Sequence, residues 1–347
     1  LFASIELCKK IQRLFLVGSV VCGLAALCLG GLPSLHADVS TKNVYLPPHS
    51  PTKKISTLKE GPTPLRFFAL GDTGSGNENQ KAVATAMLNQ AQTYCLAEKR
   101  GCDPTGISVK GILHLGDIIY PVGDATHHAD RLVTQMYKGL TDLGIPFYFS
   151  LGNHDMLTQN GQDVIQSLHL PAKGYYKVSP SPLVDFFVIN TSAFNASQKT
   201  WLQSTLAQSK ASWKVVFGHH PLYSTGAHGQ DADLRALRKQ LDPILRQYGV
   251  DAYLAGHEHN YERFATQATH ANGLPYLHIV SGGGGAHLRT QRNIDKKTIG
   301  FPPTLFYDAS QYHYLDLALT SQQLTIQMKN VENMVWDEVT ITHPKKK

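Results

Sequence analysis

From Leu65 onward the chain repeats one pattern. A short apolar run, rich in β-branched and aromatic residues, ends abruptly in glycine and a polar residue. Leu65–Leu70 runs into Gly71-Asp72, Gly111–Leu115 into Gly116-Asp117, and Ile145–Leu151 into Gly152-Asn153-His154-Asp155. Trp213–Phe217 meets Gly218-His219-His220, Val250–Ala255 meets Gly256-His257-Glu258-His259, and Tyr276–Val280 meets Ser281 and four glycines. Short, nearly continuous apolar runs bounded by turn residues predict strands buried on both faces. Between them, Leu234, Leu237, Leu241, Ile244, Leu245 and Tyr248 keep a 3.6-residue spacing, which predicts a helix that Asp242-Pro243 restarts or kinks. Glu78–Gln92 and Thr200–Gln208 are weaker helix candidates. Strands alternating with helices indicate an α/β fold with the sheet between helix layers. The tail, Tyr312–Leu319, Gln323–Met328 and Val335–His343, alternates like antiparallel strands that close a sheet.

The pattern also divides the chain. Lys9, Lys10 and Arg13 precede an uncharged apolar run from Leu14 to Leu32, followed by Ser34-Leu35-His36-Ala37. That order predicts a secretory signal peptide over residues 1–37, cleaved after Ala37, and hence an exported protein, periplasmic or secreted. The alternative is an uncleaved anchor, because such a run could just span a bilayer; four glycines within it weaken that helix. After cleavage no stable membrane association is expected. Residues 38–64, rich in Pro, Ser, Thr and Lys without periodicity, read as a linker or arm, and residues 65–347 as one catalytic domain. Cys95 and Cys102, the two cysteines beyond the leader, fit one small disulfide in an oxidising compartment.

Composition adds two constraints. With 347 residues, 42% of them hydrophobic and 17% charged, the chain can bury a core, which excludes wholesale disorder. The formal net charge of +6 is spread out except for Lys345–Lys347, so no clustered basic face marks a nucleic-acid partner. The unusual figure is 17 histidines.

Ligands of open α/β sheets bind beyond the carboxyl ends of the strands. Five apolar runs here deliver Asp, Asn or His to that edge. Any one could be a helix cap; five together, mixing carboxylate, amide and imidazole, point to metal. Two cations about 3.5–4 Å apart need a bridging carboxylate and separate ligands for each ion. Asp117 is the natural bridge, Asp72 supplies a hard anionic oxygen, and Tyr120 can reach the same side. His257 and His259, two apart on an extended segment, can each serve a different ion. Asn153 and His219 complete the second set. A phenolate with two carboxylates suits a trivalent ion, whereas Asn with two His suits a divalent one.

These blocks resemble those of the purple acid phosphatases, members of the calcineurin-like metallophosphoesterases, and among them the small tartrate-resistant mammalian type. The similarity runs from about Phe67 to Gly285 and includes Tyr253-Leu254-Ala255 before the last histidine block. It implies a four-layer sandwich, two mixed β-sheets flanked by helices. It assigns Asp72, Asp117, Tyr120 and His259 to Fe(III), and Asp117, Asn153, His219 and His257 to a divalent ion, Fe(II), Zn(II) or Mn(II). Where other metallophosphoesterases usually place a His two residues after the first Asp, this chain has Gly74, and Tyr120 takes over a coordination site.

The reaction so implied is hydrolysis of a phosphomonoester, small-molecule or protein, by a metal-bound hydroxide, with a general acid protonating the leaving group. His154, beside Asn153, and His228, in Gly226-Ala227-His228-Gly229, match active-site histidines of the small type; an imidazolium at acidic pH suits that task. Asp155 reads as an orienter of a neighbouring imidazole or as a turn cap. Gly282–Gly285 could cradle phosphate or allow a close backbone approach. His127 and His128 read as solvated loop residues, and His114, His169, His270 and His278 as structural or surface. Glu258 should point away from the ligands. Asn190-Thr191-Ser192 and Asn195-Ala196-Ser197 are glycosylation sequons. The competing readings are a phosphodiesterase or nucleotidase of the same superfamily and, in another class, a non-catalytic metal or phosphate-ester binding protein.

Overall fold

The computed structural model of the chain describes residues 63–97, 109–123, 135–269, 275–290, 302 and 304–343. The leader, all but the last two residues of the 38–64 arm, Cys102, the His127-His128 pair and His270 lie outside the described residues. No described helix is long and apolar enough to cross a membrane.

Strands β1 (Leu65–Leu70), β2 (Val109–His114) and β3 (Phe147–Phe149) open the fold as a parallel set. A second sheet follows from β4 (Tyr176–Ser181), β5 (Val184–Val188), β6 (Trp213–Phe217), β7 (Ala252–Ala255), β8 (Tyr261–Thr269), β9 (Pro275–Ser281) and β10 (Thr304–Asp308), in the order β10-β8-β9-β7-β6-β5-β4. The chain then returns to the first sheet with β11 (His313–Leu319), β12 (Gln323–Asn330) and β13 (Val335–Thr342), giving β13-β12-β11-β1-β2-β3. Both sheets are mixed: β1–β2–β3 and β5–β6–β7–β9 run parallel, and the returning strands add antiparallel to β1.

The layers follow from which side chains meet. Along β1, Phe67 and Ala69 enter a core shared with Leu113 of β2, Phe186 of β5, Val215 of β6 and Leu254 of β7, so the two sheets pack on each other. Phe68 and Leu70, pointing the other way, meet Val83, Met87 and Ala91 of helix α1 (Glu78–Ala97), together with Leu140 of α2 (Lys138–Asp142) and Val164 of α3 (Gln162–Ser167). On the far side of the second sheet, Phe187, Val216 and Tyr253 meet Leu202 of α4 (Ala196–Gln208) and Leu237, Leu241 and Ile244 of α5 (Ala232–Gln247). Alternation along each strand therefore serves two cores, which is why the runs read as continuously apolar.

Some expectations change. Helix α5 passes through Pro243 as one helix rather than restarting there. Helix α1 runs five residues past Gln92, to Ala97, and its Cys95 is a free, buried thiol, so the expected bridge is not seen on that side. Asn190 is buried, with its amide nitrogen 3.6 Å from Met156 Sδ, and cannot present a glycan; Asn195 instead caps α4 by accepting from Gln198 N–H at 3.0 Å.

His278, on β9, is fully buried among the rings of Tyr223, Tyr253 and Phe264. Its Nε2 accepts the backbone N–H groups of Leu222 at 2.9 Å and Tyr223 at 3.3 Å, tying down the loop that follows β6. Burial pushes its pKa down to about 3. The unfolded chain takes up this proton near pH 6.5 and the folded chain does not, so stability is lost as pH falls from about 6.5 toward 3. This group alone should contribute a slope of about 1.4 kcal/mol per pH unit in that window. Urea unfolding across that range should show wild-type stability falling more steeply than that of His278→Gln, which keeps an acceptor but cannot titrate; equal slopes would refute the role.

Candidate metal centre

The five glycine-polar blocks follow β1, β2 and β3 of one sheet and β6 and β7 of the other, and their loops interlock. Asp72 N–H donates to Gly116 O at 3.0 Å, Thr73 N–H to Asp117 O at 3.2 Å, and Gly256 N–H to His219 O at 2.9 Å. Asp72, Asp117 and His257 have φ of 59°, 50° and 71°. An L-residue pays about 1–2 kcal/mol for this left-handed conformation. Three such residues where the strand ends of the two sheets meet mark strain concentrated at a functional site. The neighbouring glycines are equally constrained. A Cβ on Gly152 would lie 2.1 Å from Asp117 Oδ1, and one on Gly256 would lie 2.4 Å from Asp72 Oδ2.

The geometry resolves into two donor groups sharing one carboxylate. In the first, the Tyr120 hydroxyl donates to Asp117 Oδ2 at 2.8 Å and lies 3.1 Å from both Asp72 Oδ1 and His259 Nε2. In the second, Asn153 Oδ1 lies 3.0 Å from His219 Nε2 and 3.1 Å from His257 Nδ1, and those two nitrogens are 3.2 Å apart. Asp117 Oδ1 lies 3.4 Å from His219 Nε2. Ligands bound at about 2.0–2.2 Å to a common ion sit roughly 3–3.5 Å from one another. Both groups have that spacing, and the two oxygens of Asp117 face different groups. The residues fit a pair of cations: hard oxygens and one imidazole on one side, an amide oxygen and two imidazoles on the other.

The donors are held by their outer atoms. His219 Nδ1 pairs with Leu115 O at 3.0 Å and His259 Nδ1 with His287 O at 2.8 Å, which leaves each Nε2 lone pair for a ligand. Asp72 Oδ2 accepts from His257 N–H at 2.8 Å. His257 is not on an extended segment as expected; its left-handed turn sends it to the second group and His259 to the first. Gly74 is closed to any side chain, since a Cβ there would meet the Ile118–Ile119 backbone at 2.3–2.4 Å. A histidine at that position is excluded, and the Tyr120 hydroxyl occupies the first group instead.

The electrostatics are those of a site built around positive charge. Burial alone would raise the Asp117 pKa, yet His219 pulls it below the ordinary carboxylate range. Burial opposes charge on His219 too, but Asp117 outweighs it and holds the ring up at about 9. Tyr120 is pushed well above its usual value by burial and by Asp72 and Asp117. A multivalent cation between these oxygens would reverse that balance and favour the phenolate.

The outer histidines stand one beside each group. His154 packs edge-on against Tyr120 with ring centres 4.6 Å apart, and its Nδ1 pairs with Pro121 O at 2.7 Å. His228 lies 4.7 Å from the His257 ring, with Nδ1 2.9 Å from Asp231 Oδ2. Asp155 orients no imidazole. It is buried, accepts the N–H groups of Ile118 at 2.9 Å, Ile119 at 3.2 Å and Gly152 at 2.7 Å, and so caps the Asp117 turn; burial, then Asp117, raises it to about 7. The glycine run makes a close backbone approach, with Gly282 N–H donating to Asn260 O, Gly284 N–H to Gly71 O and Ala286 N–H to Asp72 O.

Two residues of the site were missed. Glu258, buried, accepts Ala227 N–H at 3.2 Å and His228 N–H at 2.5 Å, thereby fixing the loop that carries His228. His220 offers a ring nitrogen within 4.8 Å of those of His219 and His257. Thr191 Oγ1 already accepts from His219 N–H and His220 N–H, so its own hydrogen goes to His220 Nδ1 at 2.9 Å. That leaves the ring proton on Nε2, and burial holds the ring neutral, with its pKa lowered to about 3. The signal was present in the His219-His220 doublet, but only the structure shows which nitrogen is free.

Residues 65–261 match the calcineurin-like phosphoesterase family. The chain belongs to that family. This phosphoesterase is 29% identical to tartrate-resistant acid phosphatase type 5 of Mus musculus over 278 residues, 69% of this chain and 80% of that protein. It is 27% identical to purple acid phosphatase 17 of Arabidopsis thaliana, over 72% of this chain and 76% of that one. In fold it is similar to purple acid phosphatase PPD1 from yellow lupin seeds, with a TM-score of 0.62 and 18% identity over 80% of this chain. It spans only 53% of the lupin chain. It is also similar to GAP50, the anchor in the inner membrane complex of Plasmodium, with a TM-score of 0.64 and 20% identity over 82% of this chain and 90% of that one. The two mixed sheets with flanking helices are those of purple acid phosphatase structures.

Glu258→Leu in this phosphoesterase removes the carboxylate that accepts two loop N–H groups and should cost about 2 kcal/mol. Denaturant unfolding should show that loss, with faster amide exchange over residues 226–229; Glu258→Gln, which keeps one acceptor oxygen for one of the two N–H groups, should recover about half of it. Unchanged exchange in Glu258→Leu would remove the carboxylate from this role.

Proposed function

We propose that this phosphoesterase is an acid phosphatase that hydrolyses phosphomonoesters at a dinuclear Fe(III)–M(II) centre, where M is iron, zinc or manganese. Asp72, Asp117, Tyr120 and His259 would hold the trivalent ion, and Asp117, Asn153, His219 and His257 the divalent one. The observation that carries the reading is the Tyr120 hydroxyl, within 3.1 Å of two carboxylates and an imidazole where Gly74 admits no side chain. A phenolic oxygen among carboxylates favours a trivalent ion over a site for divalent metals alone. The tartrate-resistant and purple acid phosphatases among the relatives support the same choice. Export to an oxidising compartment belongs to this reading and rests on the leader-like segment at residues 1–37.

When bound, the metal pair supplies Lewis-acid stabilisation of phosphoryl charge and acidifies water. The protein's part is placement and proton delivery. Asp117, shared by both donor groups, fixes their separation. Pro121 O takes Nδ1–H of His154 and Asp231 takes Nδ1–H of His228, so on each ring Nε2 is the nitrogen left to pass a proton to the departing alkoxide. One imidazole stands on the Tyr120 side and the other on the His257 side, so either can meet a leaving group lying across the centre.

Purified protein should carry two metal ions per chain and a visible tyrosinate–Fe(III) band that Tyr120→Phe abolishes. A colourless, zinc-only protein active on diesters would favour a phosphodiesterase of the same family. The His154→Ala/His228→Ala double variant should retain both metals and lose turnover by about 10²–10⁴-fold. The loss should be greatest for esters of poorly acidic alcohols; an equal loss for good and poor leaving groups would argue against proton donation.

A further inference from the structure

Beside the second donor group lies a cavity of about 160 Å³. Asn153, Thr191, Ser192 and His220 line it together with Leu234, Leu237 and the exposed Asp233 of α5. Because Asn153 belongs to both the cavity wall and the donor group, a phosphate held at the centre would have this space as its neighbour. Its size is informative. Pockets for drug-sized ligands run from about 300 Å³ upward, whereas an apolar cavity of about 150 Å³ accommodates benzene. The space is half open to solvent, and its walled part takes one ring or a few carbons. Its chemistry agrees: two leucines give it an apolar wall, and Ser192 Oγ is buried with no hydrogen-bond partner among the described residues. The carboxylate of Asp233 disfavours an occupant with a second negative charge.

We propose that this cavity receives the alcohol half of the substrate, so that the phosphoesterase prefers monoesters whose alcohol or phenol places one ring or a few carbons against Leu234 and Leu237 to esters of the smallest alcohols. The inference rests on the phosphomonoesterase reading above and adds the substrate class. Ser192, Leu234 and Leu237 are its specificity residues: they would touch the leaving group and not the phosphate.

The test uses non-hydrolysable ligands, so that it stands apart from turnover. Binding of benzylphosphonate, methylphosphonate and inorganic phosphate to the metal-loaded protein is measured by calorimetry. Wild type should bind benzylphosphonate at least tenfold more tightly than methylphosphonate. Ser192→Leu, which fills the cavity, should erase that preference and leave the phosphate Kd within twofold; Ser192→Ala, which removes only the unpartnered hydroxyl, should keep or strengthen it. In turnover, Ser192→Leu should raise KM for phenyl phosphate and not the inhibition constant of phosphate. Equal affinity of wild type for the two phosphonates, or a Ser192→Leu variant that keeps the benzyl preference, would overturn the proposal. A wild type that prefers benzylphosphonate yet hydrolyses no phosphomonoester would sink the activity reading alone.

Discussion

The arrangement depends on the Asp117 carboxylate facing two donor groups at once. One oxygen takes the Tyr120 hydroxyl at 2.8 Å while the other lies 3.4 Å from His219 Nε2. The first group draws on β1 and β2 and the second on β3, β6 and β7, with the last turn giving a histidine to each. A single carboxylate can serve both only where the ends of the two sheets nearly touch. That requirement explains the local chemistry. Asp72 and Asp117 sit in left-handed conformations, and a Cβ at Gly152 or Gly256 would overlap a carboxylate oxygen. The strain is held in place by the interlocked loop hydrogen bonds and by the inter-sheet core behind them, from Phe67 and Leu113 across to Phe186 and Leu254.

Much of this was legible because strand ends write themselves into sequence. An apolar run buried on both faces must stop where the chain meets solvent or a site, and the glycine before each polar residue marks the crowding there. The returning strands β11, β12 and β13 were equally readable from their alternation. Other elements left weaker traces. Strand β5 ends in Ile189-Asn190 without glycine, and β8 opens on Tyr261-Glu262-Arg263, where Arg263 pairs with Asp337 of β13 rather than with solvent. At His257 the spacing suggested that the two histidines part, and they do lie with different donor groups. An extended segment was expected; a left-handed turn is what separates them.

What sequence could not supply is the set of contacts that act through backbone. Glu258 is aimed away from the donors, as its position between two histidines implied, yet it grips the N–H groups of the His228 loop. Asp155 looked like a partner for an imidazole because carboxylates often are. Instead it caps the Asp117 turn, and its place there keeps the Gly152 strand end against Asp117. Neither role depends on a recognisable side-chain pair, so no motif announces it. Both become visible only when the amides they satisfy are known.

The loop after β6 shows how these hidden acceptors divide the labour. It carries His219 and His220 at its start and His228 further on, and a segment with so many functional groups cannot rely on a regular ladder for order. Three buried acceptors provide it: His278 for Leu222 and Tyr223, Glu262 for Ser224 and Thr225, and Glu258 for Ala227 and His228. Each acceptor comes from β8, β9 or the turn just before β8, so the second sheet positions the loop without lending it a strand. The first donor group is fixed by strand ends and by the Asp155 carboxylate that caps the Asp117 turn. The loop that carries His228 is fixed by buried acceptors, His278, Glu258 and Glu262, that hold its N–H and hydroxyl groups. Both halves of the centre therefore depend on buried acceptors for backbone that no regular ladder satisfies.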